Sequence, residues 1–438
     1  MLKSFLLTLI LLVPSFAKAA PGLLATYTDG KNTIHRVVPT PSFTLAANES
    51  AHSQLLPKFN VVYTGLLKIT RGGEYTISGD AKVEVKNQVV NDKSIKLTPG
   101  EHELKITYSR KAGESRLQLR WRSDFFVDEP MPPDAFEHQP SKNAEFQQWS
   151  RIEKGRLLYE NLSCASCHGG DGWHLSTRKG PDLSEVGGRV TRDWLATWLK
   201  NPRHTRSDSV MPILITEEKD INDVTAYLST LGESQTKTAT TEARVKEGEE
   251  IFNRIGCAKC HTEKQHALSG VGAKYASSND LASFLLDPLH VDPSGRMPQL
   301  FDPQTQRNEA QLVAEFLFAT KTSKKGWAKA GKGNAVRGRE LVQSKGCISC
   351  HSLKEEGKPL FNRFTTAPFT LHKGVNSKPV QFHQKKGCLA TRHKKGTPDY
   401  QLTAEDRANL QAFMKSMIDH PVVARAPVET LYRLSCTE

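Results

Sequence analysis

From residue 22 to about residue 138, apolar and polar side chains alternate along the chain. The polar Lys105 separates Leu104 from Ile106, and residues 116–121 repeat this alternation after a turn at residues 111–114. Such alternation predicts strands with one buried face, and these two runs predict a β-hairpin. Residues 61–69 and 75–78 predict further strands. Short strands with glycine-rich turns favour a β-sandwich or barrel, here over residues 21–139.

The rest of the chain has helical spacing, and the pattern occurs three times. Gly155, Gly248 and Gly338 are each followed by large apolar residues, which predicts three short amphipathic helices. A glycine inside a helix costs about 1 kcal/mol relative to alanine, so its recurrence predicts the close approach of a second helix. Each repeat then ends with another predicted helix. These closing helices cover residues 224–231, 309–318 and 403–413.

Polar linkers separate the repeats, at residues 137–143, 232–241 and 321–334. The predicted fold class is therefore multidomain, with an N-terminal all-β domain followed by three small all-α domains. The three all-α domains are predicted at residues 146–232, 243–321 and 333–420, and residues 421–438 form a tail.

The N-terminus has the pattern of a secretory signal peptide. Lys3 precedes an apolar run from Phe5 to Val13, and residues 17–19 form a small-x-small cleavage site. We expect residues 1–19 to be removed and the mature chain to be exported to the periplasm or beyond. An uncleaved anchor is the alternative. No other stretch approaches the roughly 20 apolar residues of a membrane span.

The pattern C-x-x-C-H follows each glycine-bearing helix. Its three copies are Cys164, Cys167 and His168; Cys257, Cys260 and His261; and Cys347, Cys350 and His351. Covalent c-type haem is attached in this way: the two thiols bond to the porphyrin vinyl groups and the histidine ligates the iron. Zinc is the alternative for a C-x-x-C pair, but it usually needs a second such pair or a Cys/His pair nearby. The repeated histidine favours three covalent haem c groups.

Two methionines occupy the same place in the first two repeats. Met211 and Met297 each lie nine residues after a proline, Pro202 or Pro288, and each is itself followed by proline. A thioether opposite a histidine favours reduced iron and raises its potential. We expect these two methionines to be the distal iron ligands.

The third repeat has no such methionine, because Thr397-Pro398 takes the place of Met-Pro. The third iron then has an open sixth position or a substitute ligand. His393 is the nearest candidate. The other candidates are His372, His383, Cys388, Met414 and Met417.

Cys436 lies close to one repeat length after the third motif. The residues before it resemble those before Cys164, which suggests a fourth haem motif that is cut off at Glu438. A disulfide between Cys388 and Cys436 is the alternative, and it would suit an exported protein.

The formal net charge is +13. A basic chain attracts acidic partners, which include nucleic acid, anionic surfaces and acidic redox proteins. No segment has the pattern of a nucleic-acid-reading module, so we expect a docking surface for redox proteins.

Two resemblances to known families are visible. The glycine-bearing helices resemble the N-terminal helix of class I cytochromes c, which in that family crosses the C-terminal helix. Five segments resemble the PA14 domain in the same order, at residues 22–27, 63–67, 73–78, 97–102 and 117–121. Many PA14 domains bind glycans, some of them through calcium held by adjacent aspartates. Here Asp80 stands alone in that region, and a structural or partner-docking domain is the other interpretation.

Together these patterns predict an exported multihaem cytochrome that transfers electrons between redox partners, as a carrier or as the cytochrome subunit of an oxidoreductase. No set of catalytic side chains is needed for this role. Two alternatives remain: a haem enzyme, peroxidase-like or a dehydrogenase subunit, that uses an open third haem, and a glycan-binding protein with secondary haems.

Overall fold

A computed structural model describes residues 19–426 of the chain. It leaves out residues 112, 142, 169–174, 176, 236–238, 263–266, 269, 294, 296, 320–326, 365–384, 386, 393–396, 420–421 and 425. The described residues form two compact units. One contains the all-β part and the chain up to Lys154, and the other contains the helical part from Gly155 to Asp419. Residues 1–18 of the predicted signal peptide and Cys436 lie outside the described residues.

The first unit is built from antiparallel strands, as the alternating pattern predicts. The strands are β1 (Ala20–Pro21), β2 (Leu23–Thr28), β3 (Thr33–Val38), β4 (Phe43–Leu45), β5 (Phe59–Ile69), β6 (Gly73–Ser78), β7 (Lys82–Val85), β8 (Gln88–Val89), β9 (Ser94–Leu97), β10 (Gly100–Arg110), β11 (Ser115–Leu117), β12 (Arg120–Ser123), β13 (Phe126–Pro130) and β14 (Phe136–His138). The largest sheet has the order β1-β14-β5-β10-β7-β8. β2 also pairs with β5, and β3 pairs with β2. A second sheet has the order β13-β12-β6-β9, and β4 pairs with β11.

The predicted hairpin between residues 104–108 and 116–121 is wrong, although its strands exist. β10 pairs with β5 and β7, whereas β11 pairs with β4 and β12 pairs with β6 and β13. The cause is Arg110 at the end of β10, which is 1% exposed. Its guanidinium donates to Ser115 Oγ and to the carbonyls of Gly113 and Ala46, at 2.6 to 2.8 Å. The chain therefore turns around a buried cation instead of returning along β10.

The second unit is helical. Its helices are α1 (Ala144–Asn161, which begins in the first unit), α2 (Ala165–His168), α3 (Val186–Arg189), α4 (Arg192–Lys200), α5 (Pro202–Thr205), α6 (Glu218–Leu228), α7 (Glu242–Ile255), α8 (Val271–Lys274), α9 (Ser278–Leu286), α10 (Pro288–Val291), α11 (Arg307–Ala319), α12 (Ala335–Ser344) and α13 (Ala404–Asp419). A two-stranded hairpin, β15 (Lys354–Glu355) and β16 (Lys358–Pro359), follows the third motif. In the part of the chain that the structure describes, every helix is too short or too polar to span a bilayer.

Polar side chains define where these helices begin. Thr241 accepts a hydrogen bond from Arg244 N at the start of α7, and Asn334 accepts from Arg337 N at the start of α12. Thr403 starts α13 with the predicted capping box: Asp406 N donates to its hydroxyl, and Thr403 N donates to the Asp406 carboxylate, both at 3.0 Å. The closing helix of the third repeat is thereby fixed at its N-terminus.

The three motif glycines lie at close helix crossings, which confirms the reason inferred for their recurrence. In the second repeat, α7 crosses α11 of the same repeat, and a Cβ atom at Gly248 would overlap the carbonyl of Leu312. Phe252 and Phe316 pack beside this point, with ring centroids 5.4 Å apart. Only a glycine lets the two backbones approach so closely.

In the other two repeats the crossing helices come from different repeats. Gly155 on α1 lies against the Asn409 carbonyl of α13, and Gly338 on α12 lies against the Asp223 carbonyl of α6. The first motif helix thus packs on the closing helix of the third repeat. The third motif helix packs on the closing helix of the first.

Candidate haem sites

All three C-x-x-C-H motifs fold into the same tight turn. A residue in the left-handed region precedes each first cysteine: Ser163 with φ 56°, Gly256 with φ 83° and Gly346 with φ 81°. The histidine N–H then donates to the carbonyl of the first cysteine, at 2.9 Å in the first motif and 3.0 Å in the other two. Two thiols and an imidazole are thereby presented from one turn, as covalent attachment and iron ligation require.

In the third motif a hydrogen bond fixes the orientation of the histidine. His351 Nδ1 lies 2.7 Å from the Pro181 carbonyl oxygen, which fixes Nδ1 as the protonated nitrogen. Nε2 is then the nitrogen with a lone pair for a metal, the usual arrangement for a ligating histidine. Burial lowers the pKa of His351, and a neutral imidazole is the form that binds iron. The donor set therefore fits a haem iron.

In the third motif the Cys347 thiol is buried and the Cys350 thiol is half-buried. Burial raises the pKa of the Cys347 thiol to about 12, and burial followed by the nearby Cys167 raises that of Cys350. These cysteines are held as neutral thiols that lack the reactivity of a catalytic thiolate.

The first motif lies among residues of the third repeat. Tyr159 packs edge-on against Phe413, with ring centroids 5.5 Å apart. Burial raises the pKa of the Cys164 thiol, and the neighbouring Cys388 adds to the shift. Burial and the first-motif thiols likewise raise the pKa of Tyr400. Cys388 and Tyr400, from beyond the third motif, thus lie close enough to Cys164 to interact with it electrostatically.

The second motif is the most exposed of the three, since Cys260 is exposed and Cys257 half-buried. Burial raises the pKa of Cys257. A buried carboxylate holds the two crossing helices of this repeat. Glu315 is fully buried on α11 and accepts two hydrogen bonds of 2.8 Å from the Arg244 guanidinium on α7.

The predicted distal ligands lie in comparable loops. Met211 and Met297 are half-buried and pack against one hydrophobic cluster. Trp198 Nε1 donates to the sulfur of Met211 at 3.0 Å. In the second repeat Phe284 takes the place of this tryptophan, so the two methionines differ in their surroundings.

The substitute ligands predicted for the third repeat are distributed differently. His393, His372 and His383 lie outside the described residues. Met414 and Met417 are buried side chains of α13, with exposed fractions of 5% and 1%. Cys388 lies close to the thiols of the first motif, where burial raises its pKa to about 11.

Sequence reasoning missed two residues that shape these sites. Pro181 supplies the carbonyl that orients His351, and Trp198 supplies the donor to Met211. A ligating histidine needs a partner for its second nitrogen, and this rule could have prompted a search for a backbone carbonyl. The rule would not have indicated that this carbonyl belongs to a different repeat.

Comparison with protein families supports this interpretation of the helical part. Residues 335–417 match the family model described as cytochrome c. Residues 172–247 match the model described as the mono-haem subunit of cytochrome c oxidase, FixO. The first of these segments contains the third motif, and the second contains Met211. No curated protein matches the chain.

Solved structures are similar to a smaller share of the chain. An anti-sigma factor domain-containing protein from Clostridium clariflavum has 22% identity and a TM-score of 0.25, over 28% of this chain and 49% of that one. The PA14 domain of the MpAFP antifreeze protein has 10% identity and a TM-score of 0.23, over 29% and 95%. A PA14 sugar-binding domain from an RTX adhesin has 16% identity and a TM-score of 0.18, over 27% and 99%. This chain therefore spans about half the length of the first of these proteins.

The family matches agree with the folded C-x-x-C-H turns and with the close helix crossings. Cytochrome c domains bind haem covalently and transfer electrons. Behind the all-β N-terminal domain, two segments of the helical part, residues 172–247 and 335–417, match models of cytochrome c families.

Proposed function

We propose that the protein is an exported multihaem cytochrome that passes electrons between redox partners through three covalently bound haems. One observation carries this proposal: all three C-x-x-C-H motifs adopt the same turn after a helix whose glycine lies at a close crossing. A chance motif or half of a zinc site has no reason to share this context.

The chain's own residues supply attachment and orientation. The six motif cysteines would hold the porphyrins, and His168, His261 and His351 would ligate the iron. Haem supplies the one-electron chemistry, and its axial ligands and their hydrogen bonds set the potential. Met211 and Met297 would raise the potential at two sites by ligating the iron, and the Pro181 carbonyl, which orients His351, would make it a stronger donor.

Charge and the N-terminal residues suggest where the protein works. A net charge of +13 steers acidic redox partners towards it. The predicted signal peptide at residues 1–19 directs it to the periplasm or beyond. The PA14 resemblance of residues 21–139 suggests contact with a glycan or the cell surface. The lone Asp80 points to contact without the paired-aspartate calcium site.

A second function is favoured by one specific residue. Thr397-Pro398 replaces Met-Pro in one of the three repeats, so one haem has a different sixth ligand or an open position. An open position would allow peroxidase-like chemistry or reduction of a small molecule. A high-spin component in the ferric spectrum that converts when cyanide or peroxide is added would support this activity. Three low-spin haems would refute it.

Counting covalent haem tests the main proposal. The intact mass of the purified full chain should exceed the polypeptide mass by three haems. Serine at both cysteines of one motif should remove one haem each time. The matched control is Cys388→Ser, which changes a half-buried cysteine outside the motifs and should keep all three. A chain whose haem content does not change when a motif is removed would overturn the proposal.

A further inference from the structure

The third motif is bonded to a segment of the first repeat. Gly180 N donates to the Cys350 carbonyl, and Leu183 N donates to the Ser352 carbonyl, both at 2.9 Å. With the contact from His351 to Pro181 and the hydrogen bond from Ser352 Oγ to the Asp182 carboxylate, four hydrogen bonds join residues 350–352 to residues 180–183. The carbonyl that orients the third proximal histidine therefore belongs to the first repeat.

Charged and polar side chains also join α6 of the first repeat to the third repeat. Arg337 on α12 pairs with both Asp220 and Asp223 on α6. Tyr227 on α6 donates to Glu355 Oε1 at 2.6 Å, beside the third motif. The backbone N–H of Asn334, followed by the Arg337 guanidinium, holds the pKa of Asp223 below its ordinary value. The contact is thus a specific and charge-matched interface.

Met211 lies on the segment that makes these contacts, between residues 180–183 and α6. It packs against the hydrophobic cluster that contains Val342 and Cys347 of the third repeat. Tyr159 and Leu162, which precede the first motif, are buried but do not belong to that cluster. The methionine of the first repeat therefore shares a core with the third motif and with the second repeat, but not with Tyr159 or Leu162 before the first motif.

The first motif, in turn, packs against residues of the third repeat. The first motif helix packs on α13, and Cys388 and Tyr400 lie close to the first-motif thiols. Where the two exchanged parts meet, Ile213 and Asp399 form an antiparallel bridge with hydrogen bonds of 2.8 and 3.0 Å. Each lies two residues beyond the Met211 or Thr397 position of its repeat. Equivalent positions thus meet each other, as in an isologous contact between swapped copies.

We infer that the first and third haem sites are each assembled from two repeats, so that Met211 is the distal ligand of the haem on Cys347 and Cys350. The haem on Cys164 and Cys167 instead faces the segment that carries Thr397. The haem without a methionine is then the first along the chain. This inference rests on the proposed haem-binding function, and it assigns each ligand segment to its haem.

Two double cysteine variants test the assignment through the absorption band of ferric iron bound to methionine. In C164S/C167S, which keeps the haem on the third motif, the band should keep the full intensity of the unaltered chain. Adding Met211→Ala to it should remove half of that intensity. In C347S/C350S, half of the band should already be lost, and Met211→Ala should change nothing more. The reverse pattern would overturn the inference.

Matched controls separate this inference from the proposed function. Met297→Ala should remove the same amount of band in both backgrounds, because the second repeat pairs with itself. Haem content is measured on the same samples. Chains without covalent haem would refute the proposed function, whereas haem-loaded chains with the reverse band pattern would refute the exchange alone.

A charge exchange tests the assembly in the chain that keeps every motif cysteine. Arg337→Asp and Asp223→Arg should each lower the thermal midpoint of the haem-loaded chain, and the two together should recover part of the loss. Recovery shows direct contact between the first and third repeats. Strictly additive losses would mean that the two residues do not meet, and would overturn the inference. For comparison, the within-repeat pair Arg244 and Glu315 should show coupling under either assembly.

Discussion

Replacing Arg244 with alanine should destabilise the second repeat, and the size of the loss should depend on pH. Glu315 is fully buried, and its carboxylate accepts two hydrogen bonds of 2.8 Å from Arg244. Thr240 and Gln311 also donate to it. Burial would raise the pKa of Glu315, but these hydrogen bonds outweigh it and hold the pKa below its ordinary value.

The size of the expected loss follows from the Glu315 charge that stays buried when Arg244 is removed. Removing one partner of a buried ion pair costs about 3–5 kcal/mol, because the remaining charge stays desolvated. The Arg244 side chain is 34% exposed, so solvent already screens part of the interaction. We therefore expect Arg244→Ala to lower the free energy of unfolding by about 2–3 kcal/mol near pH 7.

The pH dependence has a definite sign. A carboxylate with a lowered pKa stabilises the fold above its unfolded pKa of about 4.3, and this contribution is lost as pH falls through the folded pKa. In Arg244→Ala the folded pKa rises, so Glu315 becomes protonated and neutral at a higher pH. The difference between the two chains should therefore narrow as the pH falls from about 7 towards 4.

Urea denaturation of the haem-loaded chain, followed by far-ultraviolet circular dichroism, measures this difference. Arg254→Ala is the matched control, since it breaks an ion pair of 2.8 Å with Glu309 between the same two helices. The Arg254 side chain is 64% exposed, so its loss should cost less than about 1 kcal/mol. Equal losses for the two variants, or a loss for Arg244→Ala that stays constant with pH, would refute the reasoning.

Three further substitutions follow from the packing. Gly248→Ala places a methyl group on the Leu312 carbonyl, so overpacking of about 1–3 kcal/mol should exceed the gain of about 1 kcal/mol in helix propensity and lower the thermal midpoint. Trp198→Phe removes a hydrogen bond of about 0.5–1.5 kcal/mol from the Met211 sulfur, which should lower the midpoint potential of one haem by about 20–65 mV in a redox titration. Thr403→Ala removes the N-cap of α13 and should cost about 1 kcal/mol in urea denaturation.

Each of these has a result that contradicts it. An unchanged or higher midpoint for Gly248→Ala would show that α7 and α11 have room to separate. A potential that stays constant in Trp198→Phe would show that the indole does not tune the ligand. If Thr403→Ala is as stable as the unaltered chain, Asp406 caps the helix without its partner.

The sequence predicts local structure well and partners poorly. The motif glycines predict close helix crossings, and the structure confirms one at each of the three positions. The glycine cannot specify which helix is crossed, because all three closing helices carry similar apolar faces. The pairing of Gly155 with Asn409 depends on contacts between residues far apart in the chain, which no local pattern encodes.

The β domain shows the same limit. Alternation predicts the strands that include Leu104 and Leu117, but not their pairing. Arg110 decides the pairing, because a buried guanidinium that binds several carbonyls bends the chain there. A lone arginine at the end of a predicted strand is typical of an exposed residue, so the sequence offers no signal for this role.

The candidate sites divide in a similar way. The cysteines and histidines are predicted because their chemistry requires adjacent positions in sequence. Pro181 acts through its backbone carbonyl and could not be predicted from residue type. The assignment of His393 stays a prediction, because that residue lies outside the described part of the chain.

The crossing of α1 with α13 also sets an order of events during synthesis. Gly155 and Asn409 are separated by 254 positions, whereas Gly248 and Leu312 in the second repeat are separated by only 64. At about 5–20 residues per second, a ribosome needs roughly 13–50 s to make the stretch between the first pair. The second repeat can fold while the chain is still growing. The helix before Cys164 must wait for α13, so its thiols stay accessible to modification for longer than those of the second motif.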